Sequence, residues 1–139
     1  MTIQKTLSIN GKQTLSGIKE EFNKYYPFLK LEFFRESHIK GRGTSRGKMV
    51  LGNMMLSLLQ ENKSSGNVSV VDNKTVAELE GEFLREYGLN IQVFRKSGNI
   101  WLETSSTDDW TLHQQNEEGK NLAEHLKTEK DDPADHDIY

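Results

Sequence analysis

The sequence predicts an α+β fold: one domain of two tandem β-α-β-β-α repeats, related by a pseudo-two-fold axis, with a largely antiparallel sheet and helices packed on it. Three observations predict it. The chain reads the same way twice, with matched positions about 61 residues apart. Each copy holds an apolar stripe at helical spacing. Each stripe is followed by alternating strand residues.

The matching runs position by position. Thr14 falls on Thr75, Leu15 on Val76, Ile18 on Leu79, Glu21 on Glu82, Phe22 on Phe83 and Tyr26 on Tyr87. Upstream, Leu7 falls on Val68 and Ile9 on Val70. One skipped residue then brings Leu31 onto Ile91, Phe33 onto Val93, Phe34 onto Phe94 and Arg35 onto Arg95. A fainter echo sets Leu58 on Leu112, Gln60 on Gln114 and Asn53 on Thr107. The first repeat therefore occupies residues 1–66, the second residues 67–127, and a tail residues 128–139.

Taken in order, Ile3 to Ile9 alternates and reads as a strand, turned by Asn10-Gly11. A helix runs from Thr14 to about Tyr26, with Leu15, Ile18, Phe22 and one of Tyr25 or Tyr26 inward; Pro27 stops it. Leu29, Leu31 and Phe33 give the next strand its core face. Lys48 to Leu51 returns as a strand. Asn53 then caps a helix to about Asn62 with Met55, Leu58 and Leu59 apolar.

In the second copy Val68 to Val71 is the first strand. Thr75 with Glu78 forms a capping box, Val76, Leu79, Phe83 and Tyr87 make the buried helical face, and Gly88 ends the helix. A turn at Ser97-Gly98 sets Phe94 opposite Trp101 and Val93 opposite Leu102. One face then carries Ile91, Val93, Ile100 and Leu102, the other the Phe94–Trp101 pair. Thr107 caps a last helix with Asp108 and Asp109 in its first turn. Gly119 interrupts it, and Leu122 and Leu126 carry it on to about Lys127. The tail TEKDDPADHDIY is acidic, has little to bury and reads as disordered.

Composition narrows the function classes. Hydrophobic residues make up 34% of the chain and the mean hydropathy is −0.73, with no apolar run near the roughly 20 residues a bilayer span needs. No membrane partner is expected. The start, MTIQKTLSIN, lacks the apolar core of a signal peptide. Cysteine is absent, which excludes disulfides, thiol catalysis and zinc–thiolate sites, and the chain reads as cytoplasmic. The net charge of −3 and the pI of about 5.8 argue against nucleic-acid binding over a broad surface, and leave room for a local basic patch.

That patch is the place where the two copies disagree. Residues 38–48, HIKGRGTSRGK, form a long basic hairpin loop where the second copy has only Gly98 and Asn99. Lys40, Arg42, Arg46 and Lys48 supply positive charge without an acidic residue, and three glycines free backbone amides to turn toward an anion. The candidate ligand is a phosphate or other anion; a polyanion such as nucleic acid, or an acidic protein, is the candidate partner. A solvated hairpin tip without a ligand is the bland alternative. A phosphate-binding P-loop fails, because Arg42 stands where its first glycine belongs and Met49 follows Lys48.

Phe34, Phe94 and Trp101 form a second candidate, an aromatic contact face able to stack bases or bury against a partner. A packed second face is the competing reading. Self-association through it would give a homodimer. His113 and Glu117, four apart on a helix, lack a third ligand, and Asp131, Asp132, Asp135, His136 and Asp137 lack the turn glycine of a calcium loop. No cofactor is expected and no catalytic residues stand out. The sequence thus reads as a non-enzymatic binding module. A nucleic-acid-binding protein and a small enzyme whose site assembles from distant residues are the alternatives.

Overall fold

The computed structural model describes residues 4–35, 48–60 and 63–130. Among these residues the fold is α+β, with three α-helices and two antiparallel sheets. The first sheet pairs β1 (Thr6–Ile9) with β3 (Gly66–Ser69). The second has the order β2 (Leu29–Phe34), β4 (Asn90–Ser97), β5 (Ile100–Glu103). Two small sheets therefore replace the single sheet expected from the sequence. No helix among the described residues is long and apolar enough to cross a membrane.

Helix α1 (Leu15–Tyr25) begins where Thr14 Oγ1 accepts from the Gly17 amide at 3.1 Å. Helix α2 (Val76–Tyr87) has the full capping box: Thr75 Oγ1 accepts from the Glu78 amide and Glu78 Oε1 accepts from the Thr75 amide at 2.8 Å. Gly88 ends α2 at φ 63, a left-handed conformation that glycine adopts without steric cost. Both buried stripes are as the spacing requires: Leu15, Ile18 and Phe22 in α1, and Val76, Leu79, Phe83 and Tyr87 in α2. They meet Leu31, Phe33, Ile91 and Val93 in one core cluster. Tyr26, not Tyr25, is the fully buried tyrosine of its pair.

The central pairing was not legible in the sequence. Strand β2 pairs with β4 along its whole length, Leu31 facing Val93 and Phe33 facing Ile91. Strand β1 pairs with β3, Leu7 facing Val68. The two halves of the chain are thus joined by strands, and the aromatic contact between Phe33 and Phe83, 6.5 Å between ring centroids, crosses the same junction.

Several expected details are corrected. The β4–β5 turn is Gly98-Asn99, since a two-residue hairpin turn needs a positive φ at its first position and Gly98 supplies it at 65°. Lys96 therefore faces Trp101, and Phe94 faces Glu103. The helix expected from Asn53 is only a 3₁₀ turn, Leu56–Leu58. Met55 is extended and bridges Thr14, and Asn53 caps another element, its Oδ1 accepting from the Ser16 amide of α1 at 3.0 Å. A helix there would break both links. Lys48 to Leu51 is reduced to a single bridge, Met49 to Phe34.

The last helix, α3 (Leu112–Lys130), starts later than expected and runs past residue 127. Its box is Thr111 with Gln114, while Thr107 closes a 3₁₀ turn, Ser105–Thr107. Gly119 does not interrupt it. The glycine is buried, and a β-carbon there would lie 2.9 Å from Phe28 Cβ and 3.3 Å from the Lys96 carbonyl oxygen. Residues 131–139 of the acidic tail lie outside the described residues.

Candidate functional site

The foot of the basic loop is built by β2. The Arg35 amide donates to the Lys48 carbonyl oxygen at 2.8 Å, and the Val50 amide donates to that of Phe33 at 2.8 Å. Both chain ends of the loop are therefore held against one strand. Lys48 and Arg35 are exposed at this foot. Lys40, Arg42 and Arg46 lie outside the described residues.

The aromatic face lies on the side of the three-stranded sheet away from the core cluster. Phe34 and Phe94 are buried, at 7% and 8% exposure, while Trp101 is half-buried. Only the tryptophan of the three offers a ring to solvent. Two ammonium groups approach it: Lys30 Nζ lies 4.9 Å and Lys96 Nζ 5.0 Å from the ring centroid. Lys30 also lies 5.6 Å from the Phe94 ring. Cations over an indole are attracted by the ring's negative face. Sequence reasoning missed both lysines. Lys96 follows from the hairpin once the turn is placed on Gly98-Asn99, but Lys30 needs the β2–β4 register.

Charge on this face is anchored at Glu32. Its carboxylate lies 2.9 Å from Lys19 Nζ and 3.2 Å from Lys30 Nζ. Burial pushes its pKa up, but the hydrogen bonds from Lys19 and Lys30 outweigh this and hold it below the usual glutamate range. The loop foot and the Trp101 cluster sit at opposite ends of β2, from Phe34 to Lys30, about 13 Å apart along the strand. They do not form one continuous patch through the described residues.

A second charged group closes the other sheet. Lys5 Nζ lies 2.6 Å from Asp72 Oδ1 and 4.6 Å from the Tyr26 ring centroid. The Tyr26 hydroxyl lies 2.8 Å from Asp72 Oδ1 and 2.5 Å from the Val70 carbonyl oxygen, so its one proton serves either acceptor. Burial, then the neighbouring Asp72 carboxylate, pushes the phenol pKa far up. This hydroxyl stays protonated at any physiological pH and ties the end of α1 to the segment that follows β3. Behind α3, Arg95 donates to Gln115 Oε1 at 2.6 Å and lies 5.5 Å from the Trp110 ring centroid, while Gln115 Nε2 donates to Thr107. His113 is exposed, and among the described residues no group of three His, Cys, Asp or Glu side chains could hold a metal ion.

The structure also exposes apolar residues in the segment read from the sequence as a strand ending at Leu51 and a helix with Met55 and Leu58 apolar. Leu51, Met55 and Leu58 are 84%, 45% and 74% exposed, and Leu56 is the buried residue of that segment. Comparison with protein-family models, with curated proteins and with solved structures gives no match.

Proposed function

We propose that the chain is a non-enzymatic interaction module built from a duplicated β-α-β-β-α unit, in which the loop 38–48 was lengthened in one copy to bind an anionic ligand. The observation that carries this reading is the pinned foot of that loop. The Arg35–Lys48 bond holds the insertion on a strand of the central sheet, while the matching hairpin turns in two residues, Gly98 and Asn99. A closed hairpin does not need the added length, and long loops on rigid scaffolds commonly carry binding.

The duplication is supported by the bonding pattern. Leu31 matches Ile91 in sequence and faces Val93, which matches Phe33; Phe33 in turn faces Ile91. Exchanging the copies returns the same pairs. Leu15 donates to the Met54 carbonyl oxygen at 2.9 Å as Val76 does to that of Trp110 at 3.1 Å. Leu56 donates to Gln13 at 2.7 Å as Leu112 does to Lys74 at 2.8 Å. These bonds favour matching Leu56, rather than Leu58, with Leu112 in the fainter part of the repeat.

A nucleic acid is the second reading, favoured by the half-exposed Trp101 between Lys30 and Lys96, since stacking beside cations suits single strands. The test replaces Lys40, Arg42, Arg46 and Lys48 together with Gln. Titration at low salt with polyphosphate, acidic peptide, single-stranded RNA and duplex DNA compares this variant with wild type. The expected outcome is binding of an anion by wild type that weakens steeply with salt and is lost in the variant, with stability changed by less than about 0.5 kcal/mol. Equal binding by both proteins overturns the loop's role.

A further inference from the structure

We propose that Leu51, Met55 and Leu58, rimmed by Lys12, Lys48 and Lys63, dock an acidic segment of another protein that carries aliphatic side chains. The inference rests on the interaction-module reading and on the paired halves, and of the loop it uses only Lys48 at the foot.

The first ground is that the fold does not require these apolar residues. Thr14 bridges Met55 as Thr75 bridges Thr111, and the Leu56 and Leu112 bonds continue the match. Leu58 then stands where Gln114 stands. Val50 donates to Phe33 as Thr104 donates to Val93, which places Leu51 where Ser105 stands. In the second half these places hold Ser105, Thr111 and Gln114, polar residues at the same backbone sites. In the first half they hold Leu51, Met55 and Leu58, apolar side chains left in contact with water: Leu51 is 84% and Leu58 74% exposed. Exposed aliphatics clustered in one short segment mark a contact surface.

The strip is also held in place. Leu15 and Ser16 of α1 donate to Met54 and Asn53, and Leu56 and Ser57 donate back to Gln13 and Gly11. Lys63 Nζ donates to the Ser57 carbonyl oxygen, which brings that ammonium to the edge of the strip. Lys12 follows Gly11, whose carbonyl oxygen accepts from Ser57. A partner would meet a preorganised surface and spend little on ordering it.

The second ground is charge. Lys12, Lys48 and Lys63 are exposed on the segments that build this end, while the acidic residues Glu20, Glu61 and Asp72 flank those segments, Asp72 being paired with Lys5 at 2.6 Å, in a chain of net charge −3. Aliphatic side chains inside a cationic rim select a partner that is both apolar and acidic. A nucleic acid would satisfy the rim and leave the leucines in water. A basic or neutral peptide would satisfy the leucines and meet the wrong charge.

The test uses the full chain and a synthetic peptide of alternating Glu and Leu residues. Controls are the same peptide with Ser for Leu, the same peptide with Lys for Glu, and single-stranded RNA of matched charge. Affinity should fall at least tenfold with either peptide control, with Leu51→Ser/Leu58→Ser, and with Lys12→Gln/Lys63→Gln. It should be unchanged in Lys40→Gln/Arg42→Gln/Arg46→Gln, so a failed loop and a failed strip are told apart. On the wild-type protein, amide shifts in NMR should centre on residues 51–58, a readout that needs no variant to fold. The proposal is wrong if RNA or the Ser peptide binds as tightly, or if no shift appears there. It is also wrong if wild type sediments as a dimer that the leucine variant abolishes, because a second copy is then the occupant.

Discussion

Glu32 illustrates what a single residue does on the sheet face. It stands between Leu31 and Phe33, which enter the core, and it alternates to the face that carries Lys30. Lys19 and Lys30 meet it from α1 and from its own strand. Because the folded pKa lies below the unfolded one, the stabilising effect is present above the unfolded value and is lost as pH falls through the folded value. Glu32→Gln should therefore cost about 1 kcal/mol near pH 7, allowing for solvent around the partly exposed lysines. Chemical denaturation repeated toward acid should show wild type and variant converging below about pH 4, the ordinary glutamate range. A difference that does not shrink as pH falls would assign the effect to packing instead.

At the scale of an element, α3 shows why a glycine inside a helix is not always a weak point. Replacing an interior helical glycine by alanine ordinarily gains up to about 1 kcal/mol. Gly119 is the reverse case. Its missing side chain lets α3 lie against Phe28 and against the main chain of Lys96, where a β-carbon would come within 2.9 and 3.3 Å. One contact is main chain and cannot rotate away. Gly119→Ala should therefore destabilise, by about 1–3 kcal/mol as overpacked sites do, and thermal unfolding followed by circular dichroism measures it. An unchanged or raised midpoint would show that α3 shifts freely on the sheet.

For the whole molecule the decisive feature is that both halves feed one core. Leu15, Ile18 and Phe22 from the first and Val76, Leu79 and Phe83 from the second belong to the same buried cluster. Neither helix has a private core to retreat to. Phe22→Ala and Phe83→Ala should each cost about 3–5 kcal/mol. Both tryptophans, Trp101 and Trp110, lie in the second half, whereas circular dichroism reports helices of both. Denaturation of Phe22→Ala followed by fluorescence and by circular dichroism should give coincident transitions, as for a single cooperative unit. Separate midpoints would mean that the halves unfold independently.

The sequence by itself determined the local elements of this protein, because their signals are contained within a few neighbouring residues. Thr75 and Glu78 announce the start of α2, Gly88 its end, and the spacing of Val76, Leu79, Phe83 and Tyr87 its buried face. It also determined that Leu31, Phe33, Ile91 and Val93 share the core side of their strands. It singled out Trp101 and the loop residues by type, though not their neighbours. Only the tertiary structure decided which strands pair, because alternation says which face a residue occupies and nothing about the strand beside it. That pairing brought Lys30 to Trp101 and left Phe34 and Phe94 buried. It also turned Asn53 from a cap of its own segment into a partner for Ser16, and so left Leu51 and Leu58 in solvent. Periodicity could not foresee this, since a segment held by bonds to distant main chain follows those bonds rather than its own apolar pattern.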